Sequence, residues 1–247
     1  MKLLVSVATA EDARSALAGG ADVIDAKDPA LGPLGPVTPD ALRAITEAVG
    51  DARPVSAALG DLSRGSVVGL ADRAPGARFT FPGVTLAFAK VGFDGGLGSA
   101  DAAALARAVL GESTCPVVLV AYADFGLDPF VLIDVAATVG AAGVLLDTAD
   151  KRGPGLMARL DPWAIRAWVN AAHAAGLTAA VAGRLTLEDM PRVAALGADV
   201  AGVRGAACEG TTRTGRVTAL RVRALAIAAG QCSATSAWND GAVRIGV

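Results

Sequence analysis

Short aliphatic and β-branched runs alternate along the whole chain with longer Ala-, Leu- and Arg-rich stretches whose apolar positions recur at helical spacing. The runs predict strands at Leu3–Val7, Asp22–Lys27, Pro54–Ala58, Val84–Val91, Pro116–Tyr122, Gly143–Asp147, Thr178–Ala182 and Asp199–Arg204. Most are nearly continuous in apolar residues, as strands covered on both faces require. Helices follow them, for example "TPDALRAITEAVG", "SADAAALARAVLG", "LDPFVLIDVAATVG" and "TLEDMPRVAALG". Their starts carry N-cap chemistry at Thr38-Pro39, Asp161-Pro162 and Thr186, and their ends carry Gly20, Gly50, Gly140, Gly176 and Gly197.

Eight such βα units predict an α/β protein with a single (β/α)8 TIM barrel over residues 1–229, followed by a polar C-terminal tail over 230–247. A doubly wound open sheet is the competing architecture. It would want a glycine-rich phosphate turn after the first strand, and that turn here is "SVATAED". The tail is expected to pack on the surface or on a neighbouring subunit, which makes a homo-oligomer the expected assembly.

Composition narrows the partners. A formal net charge of −2 over 247 residues, without a basic block, argues against nucleic acid and anionic membranes. Charges interrupt every apolar run before the ~18 residues of a membrane span. The opening "MKLLVSVATAEDA" meets Glu11 and Asp12 too early for a signal peptide. Cys115, Cys208 and Cys232 are odd in number and lack paired spacing, so neither a disulfide framework nor a zinc site is expected. These features predict a cytoplasmic protein acting on a small molecule.

Lysine is the unusual residue. The chain has four, Lys2, Lys27, Lys90 and Lys151, against 18 arginines. Lys27 is expected to end strand two, Lys90 to end strand four, and Lys151 to follow Asp147 of strand six by four positions. Barrel chemistry sits at the C-terminal ends of the strands, so three of the four lysines converge on one mouth. Arginine cannot shed its proton or form an imine, so lysines kept at that face point to use of the neutral amine. Mutual repulsion would lower their pKa values. Asp25 lies two positions before Lys27 and so shares its face; Asp147 is expected to point inward likewise.

Other chemistry is scarce. His173, the one histidine, falls near the end of a helix and is expected to serve there rather than at the mouth. Tyr122, the one tyrosine, is expected to pack. Glycine-rich loops after the last two strands, with Gly183, Arg184, Gly202, Arg204 and Gly205, are the expected phosphate cradle. "GDLSRGS", Gly60 to Ser66, is a weaker second anion candidate. The residues alone predict a barrel that forms a lysine imine with a phosphorylated carbonyl compound and uses no metal, nicotinamide or pyridoxal cofactor.

The stretches "GGADVIDAKDPALGPLG", "VSAALGD", "AKVGF", "AYAD", "LLDTADK", "VAG" and "GVRGAAC" occur in order, one per strand end. Together they resemble the (5-formylfuran-3-yl)methyl phosphate synthase family over about residues 1–225. The resemblance implies a class I aldolase-like barrel that condenses two molecules of glyceraldehyde 3-phosphate, with loss of phosphate and water, toward methanofuran-type cofactors. It implies that Lys27 forms the Schiff base and Lys90 accepts a proton, with Asp25, Asp147 and Lys151 as further active-site groups. One departure is Arg152, where many members carry an acidic residue. An ordinary Schiff-base aldolase and a non-catalytic phosphate-binding barrel are the alternatives.

Overall fold

The computed structural model describes residues 1–63 and 84–230. Eight parallel strands close into a barrel in sequence order: β1 Lys2–Val7, β2 Val23–Ala26, β3 Val55–Leu62, β4 Phe88–Phe93, β5 Val117–Tyr122, β6 Gly143–Asp147, β7 Thr178–Val181 and β8 Val200–Val203. The described helices are α1 Ala10–Gly19, α2 Pro39–Val49, α3 Ser99–Glu112, α4 Pro129–Val139, the single turn α5 Leu156–Arg159, α6 Pro162–Ala174, α7 Asp189–Ala195 and α8 Ala219–Ala228. Residues 64–83, shortly after β3, and 231–247, with Cys232, lie outside the described residues.

Local chemistry explains most boundaries. Thr38 Oγ1 accepts from the Ala41 N–H at the start of α2, and Pro39 supplies a φ already suited to the first turn. Helix α1 ends in a Schellman turn: Gly20 N–H bonds to Leu17 and Ala21 N–H to Ala16, with Gly20 at φ 91°. Thr186 does not begin a helix. Helix α7 starts at Asp189, whose Oδ2 reaches back to accept the Thr186 N–H and hydroxyl.

Two strands differ from their sequence reading by more than one residue at an end, and β2 stops one residue short of Lys27. Strand β4 begins at Phe88 rather than Val84, because pairing runs from Ser56↔Phe88 and Ala89↔Val117. Lys90 is therefore its third residue rather than its end. Strand β3 runs on to Leu62, with a register shift between Ala58 and Asp61. Gly60 to Leu62 of the second anion candidate are thus strand, and residues 64–66 lie outside the described residues.

Alternation along the strands separates two cores. Outward residues such as Leu3, Ile24, Leu119 and Leu146 pack against the helices in one continuous apolar cluster. Burying each contributes roughly 1.5–3 kcal/mol. The inner cluster is much smaller: Leu34, Ala58, Val118, Val120, Tyr122, Leu145 and Ala182. The remaining inner positions toward the C-terminal ends are polar. Ser6, Asp25, Lys27, Ser56, Lys90 and Asp147 are all buried there. Buried charge is costly unless compensated, so this end of the barrel holds the groups that stability alone would not select. No helix among the described residues is long and apolar enough to cross a membrane.

Candidate active site

Lys27, Lys90, Asp147 and Lys151 line one cavity of about 720 Å³ inside the barrel, a size suited to a small phosphorylated metabolite. Small residues on β7, just after it and on β8, Ala180, Ala182 and Gly202, leave the room for it. Gly202 is a strand residue that widens this cavity, rather than part of the loop after β8.

Asp25 is the hub of the inner wall and is fully buried. Its Oδ2 accepts from Ser6 Oγ at 2.8 Å and pairs with Lys90 Nζ at 2.7 Å, while Oδ1 accepts from Ser56 Oγ at 2.8 Å. Neighbours from β1, β3 and β4 thus hold one carboxylate. Ser6 and Ser56 were missed from sequence; each is a lone polar residue in an apolar strand, "LLVSV" and "PVSAA".

Asp147 forms a second unit. Its Oδ1 accepts from Lys151 Nζ at 2.6 Å and from the Thr148 N–H at 2.7 Å. Burial alone would raise this carboxyl, but Lys151 and Lys27 outweigh it and hold it below the usual carboxylate range. Asp124 braces the loop that carries Lys151: Oδ1 accepts from Ala149 N–H and Oδ2 from Asp150 N–H, with Arg159 Nη2 3.3 Å away. Arg152 points into solvent, its side chain 98% exposed.

Lys27 stands between the two units. Among the described residues its Nζ makes neither an ion pair nor a hydrogen bond, whereas Lys90 and Lys151 each have a carboxylate. Burial first, and then the Lys90 charge, bring its pKa down from 10.5 to about 8 despite the opposing Asp147 and Asp25. A buried amine that is partly neutral near pH 7 can attack a carbonyl carbon.

Tyr122 packs in the inner cluster, and its hydroxyl also donates to Asp61 Oδ1 at 2.6 Å, crossing strand β4 above Gly92. Burial and the Asp61 carboxylate push the phenol upward, so it remains a donor. A Cβ at Gly92 would fall 2.0 Å from Asp61 Oδ1 and 2.8 Å from the Tyr122 hydroxyl. Gly92→Ala is therefore expected to break this link and cost roughly 1–3 kcal/mol, read from urea midpoints. An unchanged midpoint would show that the strand yields freely.

The phosphate candidates separate. Gly183, Arg184 and Gly205 line the cavity, Gly183 at φ 101° and Gly205 opening a short 3₁₀ turn. Arg184 is exposed and donates to Gly153 O. Arg204 also lines the cavity, but its guanidinium is committed elsewhere: Nη1 bonds to Asp12 Oδ2 and Ser6 O, Nε to Arg213 O, and Nη2 to Gly215 O. It scaffolds the loop and has little left for a ligand, which corrects its expected role in the cradle. His173 lies away from the mouth, with Nε2 2.8 Å from Asp199 Oδ2 at the other end of the barrel.

Solved structures share the fold. Phosphoribosyl anthranilate isomerase from Thermus thermophilus matches with TM-score 0.58 and 22% identity, covering 93% of this chain and 98% of that one. A 3-hexulose-6-phosphate synthase matches with TM-score 0.55 and 21% identity, covering 91% and 99%. Sequence relatives go further. The (5-formylfuran-3-yl)methyl phosphate synthase of Methanopyrus kandleri is 38% identical over 242 residues, 91% of this chain and 97% of that protein. The synthase of the same name from Methanosarcina acetivorans is 33% identical, over 87% and 93%. The 4-HFC-P synthase model matches residues 3–226, from the first strand through the last described helix but two residues, and with it the chain belongs to the 4-HFC-P synthase family.

Proposed function

We propose that this enzyme condenses two molecules of glyceraldehyde 3-phosphate into (5-formylfuran-3-yl)methyl phosphate, the product in its relatives' name, through an imine on Lys27, for methanofuran-type cofactors. The observation that carries the reading is Lys27 itself: buried, without an ion-pair partner among the described residues, with its pKa brought to about 8, and flanked by two lysine–aspartate pairs.

Atom balance sets the work. Two triose phosphates become one furan phosphate, one inorganic phosphate and two waters, with no net oxidation. Lys27 Nζ adds to the aldehyde carbon of one triose, and water leaves to form the imine. The imine makes the adjacent C–H acidic, and the Lys90–Asp25 pair takes that proton to give an enamine. The enamine expels phosphate from the third carbon of this triose. The second triose, deprotonated beside its aldehyde, adds through that carbon to the carbon that phosphate left, so the imine carbon becomes the formyl group. The C2 oxygen of the first triose closes onto the aldehyde carbon of the second, two waters leave to form the furan, and a further water hydrolyses the imine to release Lys27. The Lys151–Asp147 pair serves these later transfers.

The expected result for purified, chelator-treated protein is one phosphate released per two glyceraldehyde 3-phosphate consumed. A conjugated aldehyde chromophore should rise in step in the near ultraviolet. A phosphorylated six-carbon sugar without free phosphate would make the protein an ordinary Schiff-base aldolase. No turnover and no imine would leave a phosphate-binding barrel.

A further inference from the structure

The geometry points to Arg213 as the cation that grips the phosphoryl group of the triose held at Lys27. This assignment rests on the proposed imine chemistry for its substrate. Arg213 follows β8 in the loop that Arg204 organises, lines the same cavity as Lys27, and is only partly exposed.

Three observations set it apart from the other arginines of that loop region. Its Nη2 donates to Gly32 O at 2.9 Å, so the side chain crosses from the β8 loop to the loop that leaves Lys27, over the end of β1. Among the described residues no carboxylate lies within ion-pair distance of it, so its remaining N–H groups and its charge are open to a ligand. Arg204 Nε holds the Arg213 carbonyl at 2.9 Å, and Asp12 in turn takes Arg204 Nη1 and the Val217 N–H, so the backbone that presents Arg213 is fixed on both sides. Burial lowers the guanidinium pKa, and the Asp147 carboxylate opposes that. A fork of unpaired N–H donors facing a partly dry cavity fits a phosphate dianion, which it can bind by two parallel charged hydrogen bonds. The N–H groups around Gly205 can complete the cradle.

Arg213→Gln removes the charge, and Arg213→Lys restores charge without the fork. Two measurements test the assignment. The first is calorimetric binding of inorganic phosphate, expected to weaken about 10- to 100-fold in Arg213→Gln and to recover in part in Arg213→Lys. The second is borohydride trapping at subsaturating substrate. With glyceraldehyde 3-phosphate the rate should fall about 10- to 100-fold in Arg213→Gln, while with unphosphorylated glyceraldehyde it should stay within about 3-fold of wild type. Equal phosphate affinity in wild type and Arg213→Gln, or an equal fall for both aldehydes, would overturn the assignment and leave Arg213 a strap to Gly32. Loss of phosphate binding in Arg213→Gln with no trapping by wild type would uphold the anion site and sink the imine instead.

Discussion

Lys27→Met is expected to trap no triose, release no phosphate, and yet unfold at a higher temperature than wild type. The first two effects follow from removing the proposed nucleophile. The third follows from linkage. Folding lowers the Lys27 pKa from 10.5 to about 8, so between those values the unfolded chain binds more protons than the native one. Wild-type stability therefore rises with pH across that window, and the penalty for burying this amine is fully present below about pH 8. A shift of that size corresponds to roughly 3 kcal/mol at neutral pH. Methionine fills similar volume without the charge. Asp25 and Asp147 keep their own lysines, so neither carboxylate is stranded. The expected gain is about 5–10 °C at pH 7, narrowing toward pH 10.5. For wild type, the trapping rate should climb with pH and level off above about 8, as the neutral amine becomes the main species. Trapping retained in Lys27→Met would remove Lys27 as the nucleophile. An inactive variant with unchanged stability would show that the amine is not strained by burial.

The same penalty explains why the barrel and the lysine constellation were legible in the chain. Arginine serves nearly everywhere else, so Lys27, Lys90 and Lys151 stand out against it, and period-two alternation places Asp25 with Lys27. What escaped depends on partners distant in sequence. "VTLAFAKVGF" is apolar but for Thr85 and Lys90, and only its pairing with β3 and β5 selects Phe88–Phe93 as the strand. Arg204 and Arg213 are alike on paper. Arg204 is consumed by Asp12, 192 positions away, which leaves Arg213 facing the cavity. Ser6 and Ser56 become carboxylate donors only once the barrel sets β1 and β3 on either side of β2. Each miss is a tertiary choice between locally equivalent residues.

Lys151→Ala is expected to separate imine formation from the eliminations that follow it. An imine and one proton-accepting unit suffice to reach the enamine, and Lys27 with the Lys90–Asp25 pair fills both roles. Departure of phosphate and two waters needs further proton transfers, and Lys151 with Asp147 is the second paired unit on the cavity wall. Removing a group that moves protons in a transition state typically costs 10²–10⁴-fold, so phosphate release should fall by about that factor. The fold should persist, because Asp147 keeps the Thr148 N–H and the nearby Lys27, and Asp124 still pins the Ala149–Asp150 backbone. Trapping at Lys27 should persist too, with a signed change. Lys151 is a like charge that lowers the Lys27 pKa, while Asp147 raises it. Without Lys151 the Lys27 pKa rises, so trapping at pH 7 slows modestly and recovers as pH increases. Phosphate release should not recover with pH, since the missing group cannot be restored by deprotonating Lys27. Parallel pH profiles of borohydride trapping and phosphate release on the variant make the distinction. If both activities fell together and stayed down at high pH, Lys151 would belong to imine formation. If both were unchanged, the pair with Asp147 would be a brace for the loop, and the later proton transfers would have to be assigned to other groups on the cavity wall.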